Sequence, residues 1–311
     1  MQAAAMALSC TVCVSAAEDE TIKLTVWGAE EDQDLLKELT DKFQEKYADQ
    51  KFDIQIGVES ESTAKDTILT DVEAGADVYA FADDQLTDLV KAGALLKLDD
   101  YAEALQLVDT TLDDVKAANV EGAIDAASWD SLLEAADKAG KKVGMTLASG
   151  NLVACVSGTW DAITAQDVFG DGYAATKLPT FTVGDKQVQQ GSVAGYKYVG
   201  VNGYSENSGW AVLLAEDFTN EESQQIFFDQ RESGSSNKNV AASDSVQENV
   251  ALAALAAQSE YAQAQKVGGK YWDPAQTFGE LVAQGTLSVD DDNAIQEALD
   301  NLVDGVTAPV E

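Results

Sequence analysis

The chain has 311 residues with 19 Lys+Arg against 55 Asp+Glu, a formal charge of −36, and no histidine. That length is enough for about two domains of ~150 residues, and an apolar share of 45% is ordinary for a globular protein. Such an anionic surface repels phosphate backbones and anionic lipid heads, which argues against nucleic-acid binding and peripheral membrane docking. Without histidine, Ser-His-Asp and Cys-His mechanisms and His-rich zinc sites are excluded.

Residues 1–17, MQAAAMALSCTVCVSAA, form an apolar run ending in small residues, and Glu18-Asp19-Glu20 follows abruptly. This pattern predicts a signal peptide cleaved after Ala16 or Ala17. No Lys or Arg precedes Lys23, so the expectation is a partial leader, with a short buried helix as the alternative. Ala7-Leu8-Ser9-Cys10 loosely resembles a lipoprotein acylation box, which would add a lipid anchor. Cys10 and Cys13 belong to the leader, leaving Cys155 alone in the mature chain and unable to form an internal disulfide.

In chain order, Thr21–Trp27 alternates polar and apolar residues and predicts a strand. Leu35, Leu36, Leu39 and Phe43 then recur at helical spacing over Asp34–Tyr47. Phe52–Val58 predicts a second strand, Thr63–Ala74 a helix, Ala76–Ala82 a buried strand, and Gln85–Ala92 a helix stopped by Gly93. Strands alternating with helices imply a parallel, doubly wound α/β lobe. Further on come a helix at Ser128–Ala139, a short apolar stretch at Val143–Leu147 and a strand candidate at Asn151–Val156. Gly158-Thr159-Trp160 turns into a helix ending near Phe169-Gly170, and Leu178–Val183 and Gly191–Val201 read as strands. The remainder is predicted helical at Trp210–Glu216, Glu221–Glu232, Ser245–Ala264, Phe278–Gln284 and Val289–Val303. Gly234–Asn237, polar and without periodicity, is the best hinge or cleft loop.

Four stretches together resemble the extracellular solute-binding proteins of sugar ABC transporters, of the maltose/maltodextrin-binding type. They are Leu24-Thr25-Val26-Trp27-Gly28 with the acidic residues after it, Glu73–Asp84 followed by Lys91–Leu98, Leu152–Asp161 followed by Leu178–Phe181, and Arg231–Val240 together with Tyr271-Trp272-Asp273-Pro274. The resemblance implies a type II periplasmic-binding-protein-like fold of two lobes, each a doubly wound sheet flanked by helices. Residues 18–124 and 203–250 would form the N-terminal lobe, and residues 125–202 and 251–311 a shortened C-terminal lobe. Two departures look like internal deletions. An aromatic crossover strand is missing where only Ala123–Ser128 stands, and a set of helices is missing between Gly150 and Asn151.

The implied function is an extracytoplasmic protein that binds maltose or maltooligosaccharide and passes it to a membrane permease. Such a protein is a monomer, without cofactor or metal and without catalytic residues. A sugar packs its C–H faces on aromatic rings and satisfies its hydroxyls with charged or amide groups. Candidate ligand residues are therefore Trp27, Glu30 and Glu31 after the first strand, and Phe81, Asp83 and Asp84 after the third. Trp160 on its tight turn, Tyr196 on the crossing strand and Trp272 complete the set. Trp27 could equally cap the sheet, Tyr196 and Tyr198 could be core, and the acidic pairs could simply favour helix starts. Asp290-Asp291-Asp292 lacks EF-hand spacing and reads as an acidic helix start. A glycoside hydrolase, needing two carboxylates ~5–5.5 Å apart for retention or ~6.5–9.5 Å for inversion, and a truncated family member with impaired binding stand as alternatives.

Overall fold

The computed structural model describes residues 21–98, 154, 156–264, 271–288 and 290–308. The leader, the helix expected at 128–139, the stretch at 143–147, most of the strand candidate at 151–156, and both apparent deletions lie outside the described residues. In chain order the elements are β1 (Ile22–Gly28), α1 (Gln33–Lys46), β2 (Phe52–Val58), α2 (Ala64–Thr70), β3 (Val78–Ala82), α3 (Leu86–Lys91), α4 (Ala162–Phe169), β4 (Thr180–Val183) and β5 (Lys186–Gln189). Then follow β6 (Ser192–Ala194), β7 (Lys197–Val201), α5 (Ser208–Thr219), α6 (Glu221–Arg231), α7 (Lys238–Ala241) and α8 (Asp244–Glu248). The last are α9 (Val250–Ser259), β8 (Ala262–Ala264), α10 (Trp272–Ala283) and α11 (Asp292–Thr307).

Of these, residues 21–98, Tyr196–Gln230 and Ser235–Ala241 form one compact unit, and the other described residues a second. The first unit is built on a four-stranded sheet ordered β2-β1-β3-β7, in which β1 runs parallel to β2 and β3, and β7 antiparallel to β3. Alternation along β1 turns Ile22, Leu24 and Val26 to one face, where Leu35, Leu36, Leu39 and Phe43 of α1 and Ala211, Leu214 and Phe218 of α5 cover them. The opposite face carries Tyr79 and Phe81 of β3 under Ala64 and Ile68 of α2 and Leu89 of α3. Helices on both faces explain why β3 is apolar throughout. Trp210, partly buried, packs edge-on against Tyr47 and Phe52 at 5.4 and 5.1 Å beside this core.

The second unit's described strands form two two-stranded sheets, an antiparallel β4-β5 hairpin and a parallel β6-β8 pair. Gln258 of α9 ties these together, donating to Gln190 O and Ser192 Oγ and accepting from the Leu178 N–H. Three local expectations are corrected, and one further strand is added. The helix expected over Thr63–Ala74 stops at Thr70, because the Asp71 carboxylate takes the N–H groups of Glu73 and Ala74 away from helical bonding. The strand expected over Gly191–Val201 is two strands in different units, since β6 pairs with β8 and β7 with β3. The helix expected over Ser245–Ala264 breaks at Asn249, whose side chain caps α9 by accepting the Leu252 N–H, and its end becomes β8. The segment after Val183, unassigned in the sequence, is β5, joined to β4 through Gly184-Asp185 with Gly184 at φ +57°.

The first unit takes in β7, and the chain passes between the units at Gly195–Tyr196, Gln230–Arg231, Gly234–Ser235 and Ala241–Ala242. Among the described residues, no helix is long and apolar enough to cross a membrane.

Candidate functional site

The three parallel strands of the first unit all end at one edge, where β1 leads into a turn at Glu30–Asp32, β2 into Glu59–Ser62, and β3 into a turn at Asp83–Gln85. Antiparallel β7 begins at that same edge, with Lys197 opposite Ala82. In an open α/β sheet this carboxyl edge is where a ligand meets side chains from several strands.

Local bonds hold the edge together. The Glu59 N–H donates to Gly28 O at 2.9 Å and the Asp83 N–H to Tyr196 O at 2.9 Å, joining β1 to β2 and β3 to β7 beyond the ladders. Gln85, buried, donates through Nε2 to Glu61 O and Ser62 O, both at 2.9 Å, and accepts from the Lys65 N–H. The Lys197 Nζ lies 2.6 Å from Glu61 Oε1.

Electrostatics at the edge differ from residue to residue. Burial pushes the Asp83 carboxyl above its ordinary value, and the neighbouring Asp84 charge adds to this, against backbone N–H donation from Tyr196. Burial acts on Glu61 in the same direction, but the Lys197 ammonium outweighs it and holds the Glu61 carboxyl below its ordinary value. The Tyr198 hydroxyl is pushed up by burial and by Asp83.

Glu30 and Glu31 stand exposed on their turn, and Asp83, Asp84 and Tyr196 are half-buried beside one another. Trp27 is half-buried, its ring 6.3 Å from that of Tyr79, and it floors an open depression of about 580 Å³ walled by Thr63, Asp66, Thr67 and Thr70 of the α2 region. Phe81 is corrected. At 3% exposure it is core, its ring tilted against those of Tyr79 and Tyr198, because alternation along β3 gives it the same inward face as Tyr79.

Trp160 and Trp272 belong to the second unit. Trp160 is 80% exposed on a single helical turn, lying against Gly158, where an added Cβ would meet the indole at 2.0 Å. The Ser157 hydroxyl donates to Asp161 and closes this turn. Trp272, also exposed, opens α10 with its ring edge-on to Tyr271 at 5.3 Å. The Gly234–Asn237 loop is anchored, since Ser235 and Ser236 hydroxyls and the Asn237 N–H all donate to Gln224 Oε1. It is nevertheless a place where the chain changes unit, between Gly234 and Ser235. No group of three or more metal-ligating side chains occurs among the described residues, and Asp291 caps α11 by accepting the Ala294 N–H.

Residues 141–254 match the family described as bacterial extracellular solute-binding protein. The maltodextrin-binding protein MalE1 from L. casei BL23, solved without ligand, superposes with a TM-score of 0.76 at 18% identity, covering 94% of this chain and 100% of that one. A structure solved with acarbose gives 0.72 at 24% identity, covering 91% and 98%. The maltose/maltodextrin-binding domain MalE from Bdellovibrio bacteriovorus, bound to maltotriose, gives 0.69 at 14% identity, covering 92% and 98%. The chain has the fold of an extracellular solute-binding protein. No curated protein sequence matches it significantly.

At the strand edge, Glu59, Glu61, Gln85 and Lys197 are not among the residues that the sequence singles out. Glu59 and Glu61 follow the end of β2 as Glu30 follows β1, so the strand-end rule that singled out Glu30 applies to them equally. Lys197 carried no such signal, because it starts an antiparallel strand whose partner was unknown.

Proposed function

We propose that this protein binds an oligosaccharide of the maltose type outside the cytoplasm and delivers it, as a monomer, to the permease of an ABC transporter. The observation that carries the reading is Trp160, a large apolar ring left 80% exposed in a strongly anionic protein, within the segment that matches the solute-binding family. An exposed indole held against a glycine is a platform for the C–H face of a sugar ring. The carboxylates of the strand edge, Glu30, Glu31, Asp83 and Asp84, are acceptors for sugar hydroxyls, with Tyr196 beside them. Trp27 and Trp272 are the further aromatic candidates. Maltodextrin-binding relatives of the same fold, one bound to maltotriose and one solved with acarbose, support this ligand class.

Binding acts by stabilising a closed arrangement of the two lobes, the ligand shifting the population by its greater affinity for that state. In this reading the ligand is handed on unchanged, so Glu and Asp residues act as acceptors and none as a catalyst.

Thermal melts with and without a saccharide panel test the reading. A ligand at 100 times its Kd adds about 2.7 kcal/mol to stability, so maltooligosaccharides are expected to raise the midpoint while unrelated sugars leave it in place. A midpoint indifferent to every saccharide refutes the reading. Prolonged incubation with maltooligosaccharides is expected to release no new reducing ends, and their appearance would favour the glycoside hydrolase instead.

A further inference from the structure

A hydroxyl group both donates and accepts, whereas an ionised carboxylate only accepts. The strand edge is rich in acceptors, with Glu30, Glu59, Glu61, Asp83 and Asp84, so a sugar bound there would leave its hydroxyl oxygens without charged donors unless a cation joins the set. Two lysines stand close by. Lys65 is mostly buried and its Nζ lies between Asp66 at 3.3 Å and Asp88 at 3.9 Å, turned to α3. Lys197 is different: its side chain is 69% exposed, it starts β7 at the edge itself, and its Nζ bonds Glu61 Oε1.

Glu61 is the fixed partner of the two. Its side chain is only 21% exposed, and its backbone carbonyl accepts from the Ala82 N–H and from Gln85 Nε2. The pair therefore consists of a carboxylate whose backbone is anchored to the end of β3 and which also accepts from the Ser60 hydroxyl, and an ammonium with three N–H groups, one of them directed to that carboxylate. The head is held in place and remains open to a ligand.

Resting on the reading of this edge as part of a saccharide site, we infer that Lys197 is a ligand-binding residue. It donates to a sugar hydroxyl oxygen, while Glu61 positions it and accepts from the adjacent hydroxyl. A pair of vicinal hydroxyls is the chemistry this arrangement fits. The competing account is an ordinary surface ion pair, worth little to either stability or binding.

The test is titration calorimetry with maltotriose, beside unliganded melts, on the full chain and on Lys197→Gln, Lys197→Arg and Glu61→Gln. Charge-assisted hydrogen bonds are strong enough that Lys197→Gln is expected to weaken binding about tenfold or more. Lys197→Arg is expected to retain most of the affinity, Glu61→Gln to lose part of it, and the unliganded midpoints to stay within a degree or two. Unchanged affinity in Lys197→Gln, with the wild type binding normally, overturns the role of Lys197 and leaves the sugar-binding reading standing. Loss of affinity that tracks a lowered unliganded midpoint, or that Arg does not restore, shows a structural pair and overturns it too. A wild type that binds no saccharide overturns both.

Discussion

Phe81 and Trp160 are both aromatic residues of a type that suits a sugar platform, yet one is 3% exposed and the other 80%. Replacing each by Ala separates their roles. Phe81→Ala is expected to cost about 3–5 kcal/mol, as for a large aromatic removed from a packed core, read as a lower denaturant midpoint. Trp160→Ala is expected to change stability by no more than about 0.5 kcal/mol, as surface substitutions do, while abolishing the midpoint shift caused by maltooligosaccharide. Asp83 makes a third residue-scale case. Its folded carboxyl titrates above the ordinary 3.8, so the ionised form is disfavoured in the fold and Asp83 detracts from stability at neutral pH. Asp83→Asn is therefore expected to raise the unliganded midpoint at pH 7 and to lose that advantage as pH falls through the raised value, where the native carboxyl is itself protonated. A midpoint lowered at pH 7 would contradict this account. Glu61 has the opposite sign. Its carboxyl sits below the ordinary 4.5, so its stabilising contribution is present above that value and is lost as pH falls through the depressed one.

Between strands, one buried amide does more than any pair of ladder bonds to shape the edge. Gln85 joins the loop after β2 to the turn after β3 through three hydrogen bonds. Gln85→Ala is expected to destabilise the fold by ~2 kcal/mol, because it removes the three hydrogen bonds of a buried amide, with the urea slope unchanged and the midpoint lowered. The elements themselves were largely legible: β2 lies where alternation placed it, and β1 and α1 within a residue at each end. What misled the reading was local chemistry competing with periodicity. Asp71 ended α2, Asn249 split a continuous apolar helix, and the stretch between Ser192 and Val201 was shared between two sheets.

Charge is a property of the whole molecule, and 19 basic against 55 acidic residues leave most carboxylates without a cation. Individual pairs such as Lys37–Asp41 and Lys42–Glu222 are exposed, and salt weakens them. Self-repulsion across a charge of −36 is weakened by the same salt. Because carboxylates so far outnumber cations, repulsion is the larger effect, and raising NaCl from low to physiological concentration is expected to raise the thermal midpoint. A falling midpoint would mean that the ion pairs outweigh the net charge. The alternation of strands and helices and the anionic surface could be read from the chain alone, since periodicity and composition act within a few residues. The resemblance to solute-binding proteins rests instead on the particular residues of its four stretches. That Phe81 is core, that Trp160 is exposed, and that Glu61 and Lys197 meet came from the folded chain. Each of these depends on which strand lies beside which, and residues 136 positions apart come together only when β7 pairs with β3.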